Sequence, residues 1–321
     1  MKWFLSVFLL SVSLISGAQS SYPNKPVKVI VPFAPGGASD FVGRILQPKM
    51  AELLGQPIVV ENKAGAAGSV GAEAAAKSAP DGYTLFLGNV GSIAINPGVF
   101  PNLAVLPMRD FIAVTQVVDV PSVLIVHPSL PVSSVKELIA YAKANPGKLN
   151  YASPGSGSLD RLEMEQLRKL AGLDMVHVPY KGGAGPATAG LMGGETQTMF
   201  ATAASAMPGI KSGRLKLLGV TSARRMEQVP NAPTMEESGY PQLTASSWQG
   251  IFVPAGTPRE IVERLFGVMQ KVVAMPDVVE RLKNGGAYAQ VSENPAAFQK
   301  YVVSETERWA RIAKDANATP D

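Results

Sequence analysis

The chain has no cysteine and only two histidines, His127 and His177, fifty residues apart in a sequence of 321. Without cysteine there is no disulfide, no thiol nucleophile, no thiolate metal site and no lipid anchor of the kind that needs a Cys at the cleavage point. With so little histidine, a metal centre or a Ser-His-Asp machine is hard to assemble, and neither a catalytic residue, a cofactor nor a metal is expected. Charge is sparse too. Asp, Glu, Lys and Arg make up 17% of the chain against 46% hydrophobic residues, and 29 basic against 25 acidic side chains leave a net +4. That excess is scattered, with no Lys/Arg run to form a nucleic-acid footprint, so no nucleic-acid partner is expected. What is plentiful is glycine (31) and proline (26), which fit many tight connections and close backbone approaches. The length suits two α/β lobes better than one core.

Lys2 is followed by an apolar stretch from Trp3 to Ile15 and then by Ser16-Gly17-Ala18. A basic start, a short apolar segment and a small-residue end describe a secretory signal peptide over residues 1–18, cut after Ala18. The stretch is short for a bilayer span, and no later segment is long and apolar enough to be one. An exported, periplasmic chain is therefore expected. Removing Lys2 leaves 28 basic and 25 acidic residues, a net +3.

Strand and helix patterns then alternate. Val27 to Val31 reads as a strand buried on both faces. A helix pattern runs from Ser39 to Leu54 and stops at Gly55. Strands at Ile58 to Val60 and Tyr83 to Leu87 flank an Ala-rich helix from Ser69 to Lys77. Strand-helix-strand repetition predicts a parallel sheet with covering helices. The pattern restarts with a Ser134/Glu137 capping box, strands at Leu149 to Ala152 and Met175 to Val178, and a helix from Leu159 to Leu170 between them. Further strands are expected at Thr198 to Phe200 and Leu215 to Val220. The chain ends in helices, the first introduced by Thr257-Pro258-Arg259-Glu260, read as an N-cap with proline at the first helical position. Val114 to Val126 and Ser246 to Pro254 read as two crossovers. The expected organisation is a first lobe of residues 22–120 and 248–321 and a second of residues 121–247, with a ligand cleft between them. Such a two-strand hinge suits opening and closing, and a flytrap of this kind is expected to work as a monomer.

Similar loops recur in both halves. Pro35-Gly36-Gly37-Ala38-Ser39-Asp40 and Ser153-Pro154-Gly155-Ser156-Gly157-Ser158 each lead from a strand into a helix. Each brings small residues and backbone N–H groups to a helix N-terminus, where partial positive charge favours an anion. Neither fits a nucleotide fingerprint. Asp40 and Asp160 fall in first helical turns, where dipole compensation is the ordinary role and a ligand acceptor the functional one. Lys181, after Tyr180, either supplies charge to the cleft or is solvated. His177 reads as a packed strand residue, and Trp248 with Phe252 as hinge-side core.

The order Tyr22-Pro23, Val31-Pro32-Phe33-Ala34-Pro35-Gly36-Gly37, Asp40, Gly55-Gln56-Pro57, Ala79-Pro80-Asp81-Gly82-Tyr83, Ala94-Ile95-Asn96-Pro97, Pro146-Gly147-Lys148-Leu149-Asn150-Tyr151, His177-Val178-Pro179-Tyr180-Lys181-Gly182 and Phe252-Val253-Pro254-Ala255-Gly256-Thr257-Pro258 resembles the Bug family of tripartite tricarboxylate transporter receptors over essentially the whole mature chain. The resemblance implies a periplasmic-binding-protein fold of the type with two crossovers: two Rossmann-like α/β lobes closing on a small carboxylic acid. Its implied partners are that acid and the integral membrane subunits of the transporter. The implied ligand residues are Phe33, Ala34, Pro35, Gly36, Gly37, Ser39 and Asp40 in the first loop. Asn89 and Ser92 follow the third strand. Ser153, Gly155, Ser156, Gly157, Ser158 and Asp160 form the second loop and its helix start, and Tyr180, Lys181, Ala201 and Thr202 complete the set.

The chain departs from the family pattern where Asp160 and Ile93 replace histidine and Ala201-Thr202 replaces a polar residue. The departures imply a less polar pocket and a less highly charged ligand than citrate, such as a monocarboxylate with an aromatic or nitrogen-bearing body. Two other readings compete: a sensor that shows its closed form to a signalling partner, and a secreted hydrolase using Ser153 or Ser156. The hydrolase needs a base within hydrogen-bond reach and lacks a Gly-x-Ser-x-Gly elbow.

Overall fold

The computed structural model describes residues 22–320, so the expected leader lies outside it. Among the described residues no helix is long and apolar enough to cross a membrane. The elements follow as β1 (Val27–Val31), α1 (Ala38–Leu54), β2 (Ile58–Asn62), α2 (Ser69–Ala76), β3 (Thr84–Asn89), α3 (Asn96–Val99), α4 (Pro107–Asp110) and β4 (Phe111–Val126). Next come α5 (Val135–Ala144), β5 (Asn150–Ser153), α6 (Leu159–Ala171), β6 (Val176–Pro179), α7 (Ala184–Met192), β7 (Thr198–Thr202), α8 (Ala203–Lys211) and β8 (Lys216–Val220). The last are β9 (Ser246–Pro254), α9 (Arg259–Ala274), α10 (Pro276–Asn284), β10 (Tyr288–Ala289) and α11 (Pro295–Asp315).

The strands form two α/β lobes sharing one long strand. In the first lobe β1 runs parallel to β2 and β3, while β9 is antiparallel to β3 and to β4. In the second, β5 is parallel to β6 and β7, and β7 and β8 are antiparallel to β4. Strand-helix alternation predicts a parallel sheet, but neither sheet is parallel throughout. The crossovers explain this: β4 leaves the first lobe and β9 returns to it alongside, so they meet in opposite directions. Within β4 the pairing with β9 ends at Pro121, and from Ser122 the partners are β7 and β8. Pro121 has no N–H to offer a ladder, and the Ser122 N–H goes to Thr221 Oγ1 at 2.9 Å. Two irregularities in the β4–β9 register, at Ala113/Thr115 and Gln116/Val118, bend the shared ribbon.

Apolar clusters cover both faces of each sheet. In the first lobe, Val42, Leu46 and Met50 of α1 pack with Leu265 and Met269 of α9 on one side. On the other, Phe86, Trp248, Phe252, Phe298 and Trp309 pack together. Trp248 and Phe252 are therefore core residues. In the second lobe, Leu138, Met164 and Leu167 form one layer and Leu191, Met199 and Met207 the other. β1 is not apolar throughout, since Lys28 is exposed and pairs with Glu61 at 2.7 Å.

Capping follows the sequence unevenly. Ser134 Oγ accepts the Glu137 N–H at 3.1 Å, but the Glu137 carboxylate reaches past the cap to the Ser133 N–H at 2.6 Å. Thr257 does not cap α9. Its hydroxyl donates to the Pro254 carbonyl at 2.7 Å, and Pro258 stands at the cap.

One polar knot ties α11 to the shared ribbon. Buried Glu305 Oε2 accepts both the Trp248 and Trp309 indole N–H groups, each at 3.0 Å. Glu305→Ala strands two buried donors and is expected to cost about 2–4 kcal/mol, read as a lower denaturant midpoint.

Candidate functional site

A small cavity lies between the lobes. Its walls come from Phe33, Gly37, Ala38 and Ser39 at the start of α1, and from Asn89, Val90 and Gly91 after β3. The second lobe adds Pro154, Ser158, Leu159 and Asp160 at the start of α6, with Ala184 and Thr202, and the β9 ribbon adds Ser247. The strands β1, β3, β5 and β7 all point their carboxyl ends here, where open α/β sheets place their ligand crevices.

The two helix starts differ. At α1 the cap is Gly37, which has no side chain to satisfy the first-turn N–H groups. Gly36 adopts φ +89°, which L side chains avoid, and this turn brings the loop backbone to the cavity. Asp40 braces the loop from behind. Its carboxylate accepts from the Gly36 N–H at 3.2 Å, Arg44 Nε at 2.9 Å and Asn62 Nδ2 at 3.1 Å, and Asn62 Nδ2 also donates to the Phe33 carbonyl at 2.8 Å. Burial acts to raise the Asp40 pKa, but the hydrogen bonds from Arg44, Gly36 and Asn62 outweigh it, and the net shift is downward. Asp40 is thus a support for the loop and does not line the cavity. Asp40→Ala is expected to lower stability by about 2–3 kcal/mol and to loosen the α1 loop, measurable as a lower melting point and faster amide exchange at Gly36.

At α6 the cap is filled. Ser158 Oγ accepts the Arg161 N–H at 3.2 Å and donates to the Gly155 carbonyl at 2.7 Å. Asp160, two residues on, is 3% exposed and faces the cavity, and its Oδ1 has no partner among the described residues. Burial pushes its pKa up from the usual aspartate range. Glu163, one turn along, is 2% exposed with both carboxylate oxygens unpartnered among the described residues. Burial foremost, and the charge of Asp160 next, raise its pKa well above the usual glutamate range; the Ser122 hydroxyl opposes both shifts but does not cancel them.

Of the residues singled out in the sequence, Phe33, Gly37, Ser39, Asn89, Ser158, Asp160 and Thr202 line the cavity. The rest do not. Ala34 joins the lobes instead, its N–H donating to the Gly182 carbonyl at 2.8 Å. Pro35 and Gly36 turn the loop. Ser92 is used locally, its Oγ accepting the Asn89 N–H at 3.1 Å. Ser153, Ser156 and Ala201 are fully buried. Gly155 and Gly157 shape the second loop from outside the walls. Tyr180 and Lys181 follow the sheet's edge strand β6, which carries them to the rim. The Tyr180 hydroxyl donates to Glu195 at 2.6 Å, and Lys181 is exposed.

The wall residues not foreseen are Ala38, Val90, Gly91, Pro154, Leu159, Ala184 and Ser247. Ala38 and Pro154 lie inside the predicted loops; Ser247 was legible only as part of a crossover. His177 stacks on Tyr151 with ring centres 5.0 Å apart, and its Nε2 lies 2.6 Å from Ser153 Oγ. That is the base contact a serine nucleophile needs, but Ser153 is not in the cavity wall.

The description "tripartite tricarboxylate transporter family receptor" fits residues 42–318. BugT of Bordetella pertussis is 35% identical over 318 residues, covering 98% of this chain and 96% of BugT. MatC from Rhodopseudomonas palustris, solved with bound malate, is 34% identical with a TM-score of 0.86, covering 91% of this chain and 99% of that one. A second R. palustris structure, solved with adipate, is 32% identical with a TM-score of 0.89, covering 93% and 99%.

Proposed function

The chain belongs to the tripartite tricarboxylate transporter receptor family, and from that premise we propose that it captures a small carboxylic acid in the periplasm and delivers it to a membrane transporter of the tripartite type. The observation that carries this reading is the uncapped start of α1 opening on an inter-lobe cavity. A carboxylate there meets backbone donors and the positive end of a 17-residue helix. Malate and adipate in the solved relatives are acids of matching class.

The lobes are residues 22–120 with 248–321, and residues 121–247, and they move about β4 and β9. The leader is removed on export. The protein performs no chemistry on its ligand, as a receptor of this family would not. Phe33, Ala38, Val90, Pro154, Leu159 and Ala184 give the cavity a largely apolar surface, which favours a ligand less highly charged than citrate.

A thermal-shift screen of refolded protein against carboxylic acids tests this. A binder at one hundred times its dissociation constant adds about 2.7 kcal/mol, which shifts the melting point visibly. An acid that stabilises the chain at micromolar concentration supports the reading. Indifference to every acid, malate and adipate included, would refute it.

A further inference from the structure

The two ends of the cavity are chemically unlike, although their loops look alike in sequence. The α1 end is uncapped, and the negative charge beside it, Asp40, is already matched by Arg44 at 2.9 Å. The α6 end is capped by its own serine and carries Asp160, an acceptor with an unpartnered oxygen, 3% exposed and set in the cavity wall. Among the described residues no cation lines the cavity, and its other polar wall side chains, Ser39, Asn89, Thr202, Ser247 and Ser158, are all uncharged. Behind it stand Ser122 from β4 and Glu163 from its own helix. Arg161, between the two acids in sequence, is turned elsewhere, with Nη1 donating to the Thr319 carbonyl at 2.8 Å. One end of the cavity is therefore suited to an anion, and at the other an acceptor oxygen of Asp160 has no partner among the described residues.

We propose that the ligand is a carboxylic acid that also carries a hydrogen-bond-donating nitrogen, an ammonium or a protonated ring nitrogen, and that Asp160 accepts from it. This rests on the receptor reading above and narrows it. Asp160 is the specificity-determining residue. Glu163 is a positioning residue that holds a proton, so the pair presents one negative charge and not two. An acid without the donor leaves Asp160 buried and unpaired, which binding penalises. An acid with a second carboxylate places like charges together.

A proton balance follows. Near neutral pH part of the Asp160 population is protonated, because burial holds its proton on. An incoming ammonium favours the ionised form, so Asp160 releases that proton to solvent as the ligand binds. A second carboxylate on the ligand instead draws a proton in.

The test is calorimetric titration of refolded protein with matched pairs of monocarboxylates: 3-aminopropanoate and propanoate, 4-aminobutanoate and butanoate, 3-(aminomethyl)benzoate and 3-methylbenzoate. The expected result is at least tenfold tighter binding of an amino member than of its partner. Proton release should appear as a heat that changes with the buffer's ionisation enthalpy. Asp160→Asn should abolish both the preference and the proton release while the amino-free acid still binds. Glu163→Gln should keep the preference and change the pH at which release occurs. Equal binding within the pairs, proton uptake, or an unchanged preference in a folded Asp160→Asn protein overturns the proposal and leaves the carboxylate reading standing. No binding by any acid of the panel overturns both.

Discussion

Gly185→Ala is expected to leave both lobes folded and to weaken ligand capture roughly tenfold to a hundredfold, the equivalent of about 1–3 kcal/mol of overpacking. Gly185 sits in the first turn of α7. Alanine is the better helix former there, so the second lobe alone should gain slightly. The cost arises only where the lobes meet. A Cβ at Gly185 would lie 2.6 Å from the Pro35 carbonyl oxygen, 3.2 Å from Gly36 C and 3.3 Å from Gly37 N. Those are backbone atoms of the α1 loop, so no side chain can rotate aside. Relief comes only if the lobes part, and parting opens the cavity that α1 and α6 share. Gly267→Ala is the control, because nothing lies within 4 Å of a Cβ there. The measurement is the dissociation constant of an acid that binds wild type, beside the melting point of each ligand-free variant. A variant with lower stability and unchanged affinity would place the contact in the fold and not in closure.

The second large effect concerns the buried acids of α6. Burial raises the folded-state pKa of both Asp160, to about 7, and Glu163. Between the ordinary carboxylate range and those raised values, the folded chain holds protons that the unfolded chain has lost. Stability contributed by these groups is therefore greatest in acid and falls as pH rises, by about 1.4 kcal/mol per pH unit for each proton in play. Glu163→Gln removes one such group without changing its size. At pH 5 the variant and wild type should be within about 0.5 kcal/mol. At pH 8 the variant should be the more stable by about 2 kcal/mol or more, because wild type must by then ionise a buried carboxyl or keep it protonated against the solvent. Groups shifted the other way, such as Asp40, cancel in the difference between the two proteins. Urea denaturation of ligand-free protein at both pH values reads it out. A difference that does not grow with pH would mean that Glu163 is better solvated than its position implies.

Much of this architecture is legible from the chain. Proline and glycine punctuation locates the turns before α1, after α1 and before β3, and the apolar runs between them locate the strands. Ser246 to Pro254 reads as a crossover and is β9 to the residue. Helix α8 escapes because Ala203–Lys211 is short, rich in small residues and interrupted by Pro208, so it has neither stripe nor clean propensity. Its place is set by tertiary packing.

The site divides in the same way. Loop chemistry at helix starts is local, so Phe33, Gly37, Ser39 and Ser158 could be named from their neighbours in sequence. Asp160 could be named but not interpreted, since a first-turn acid on a surface and one sealed in a cavity look identical on paper. Glu163 gave no signal at all: in a run with Glu165, Arg161 and Arg168 it looks like a solvated helix face. Ser247 needs the strand's register before it can be placed. Tyr180 and Lys181 are the opposite case, a conspicuous motif that follows an edge strand and lies outside the cavity wall.

Whether the cleft grips a carboxylate is read most directly by titrating an acid that binds beside its own primary amide. The two differ little in size, and only the acid offers the negative charge and paired acceptors that the α1 N-terminus favours. The acid is expected to bind at least about a hundredfold more tightly than the amide, a gap of about 2.7 kcal/mol. Equal affinities would show that the α1 loop does not read charge and that the cleft is not a carboxylate site.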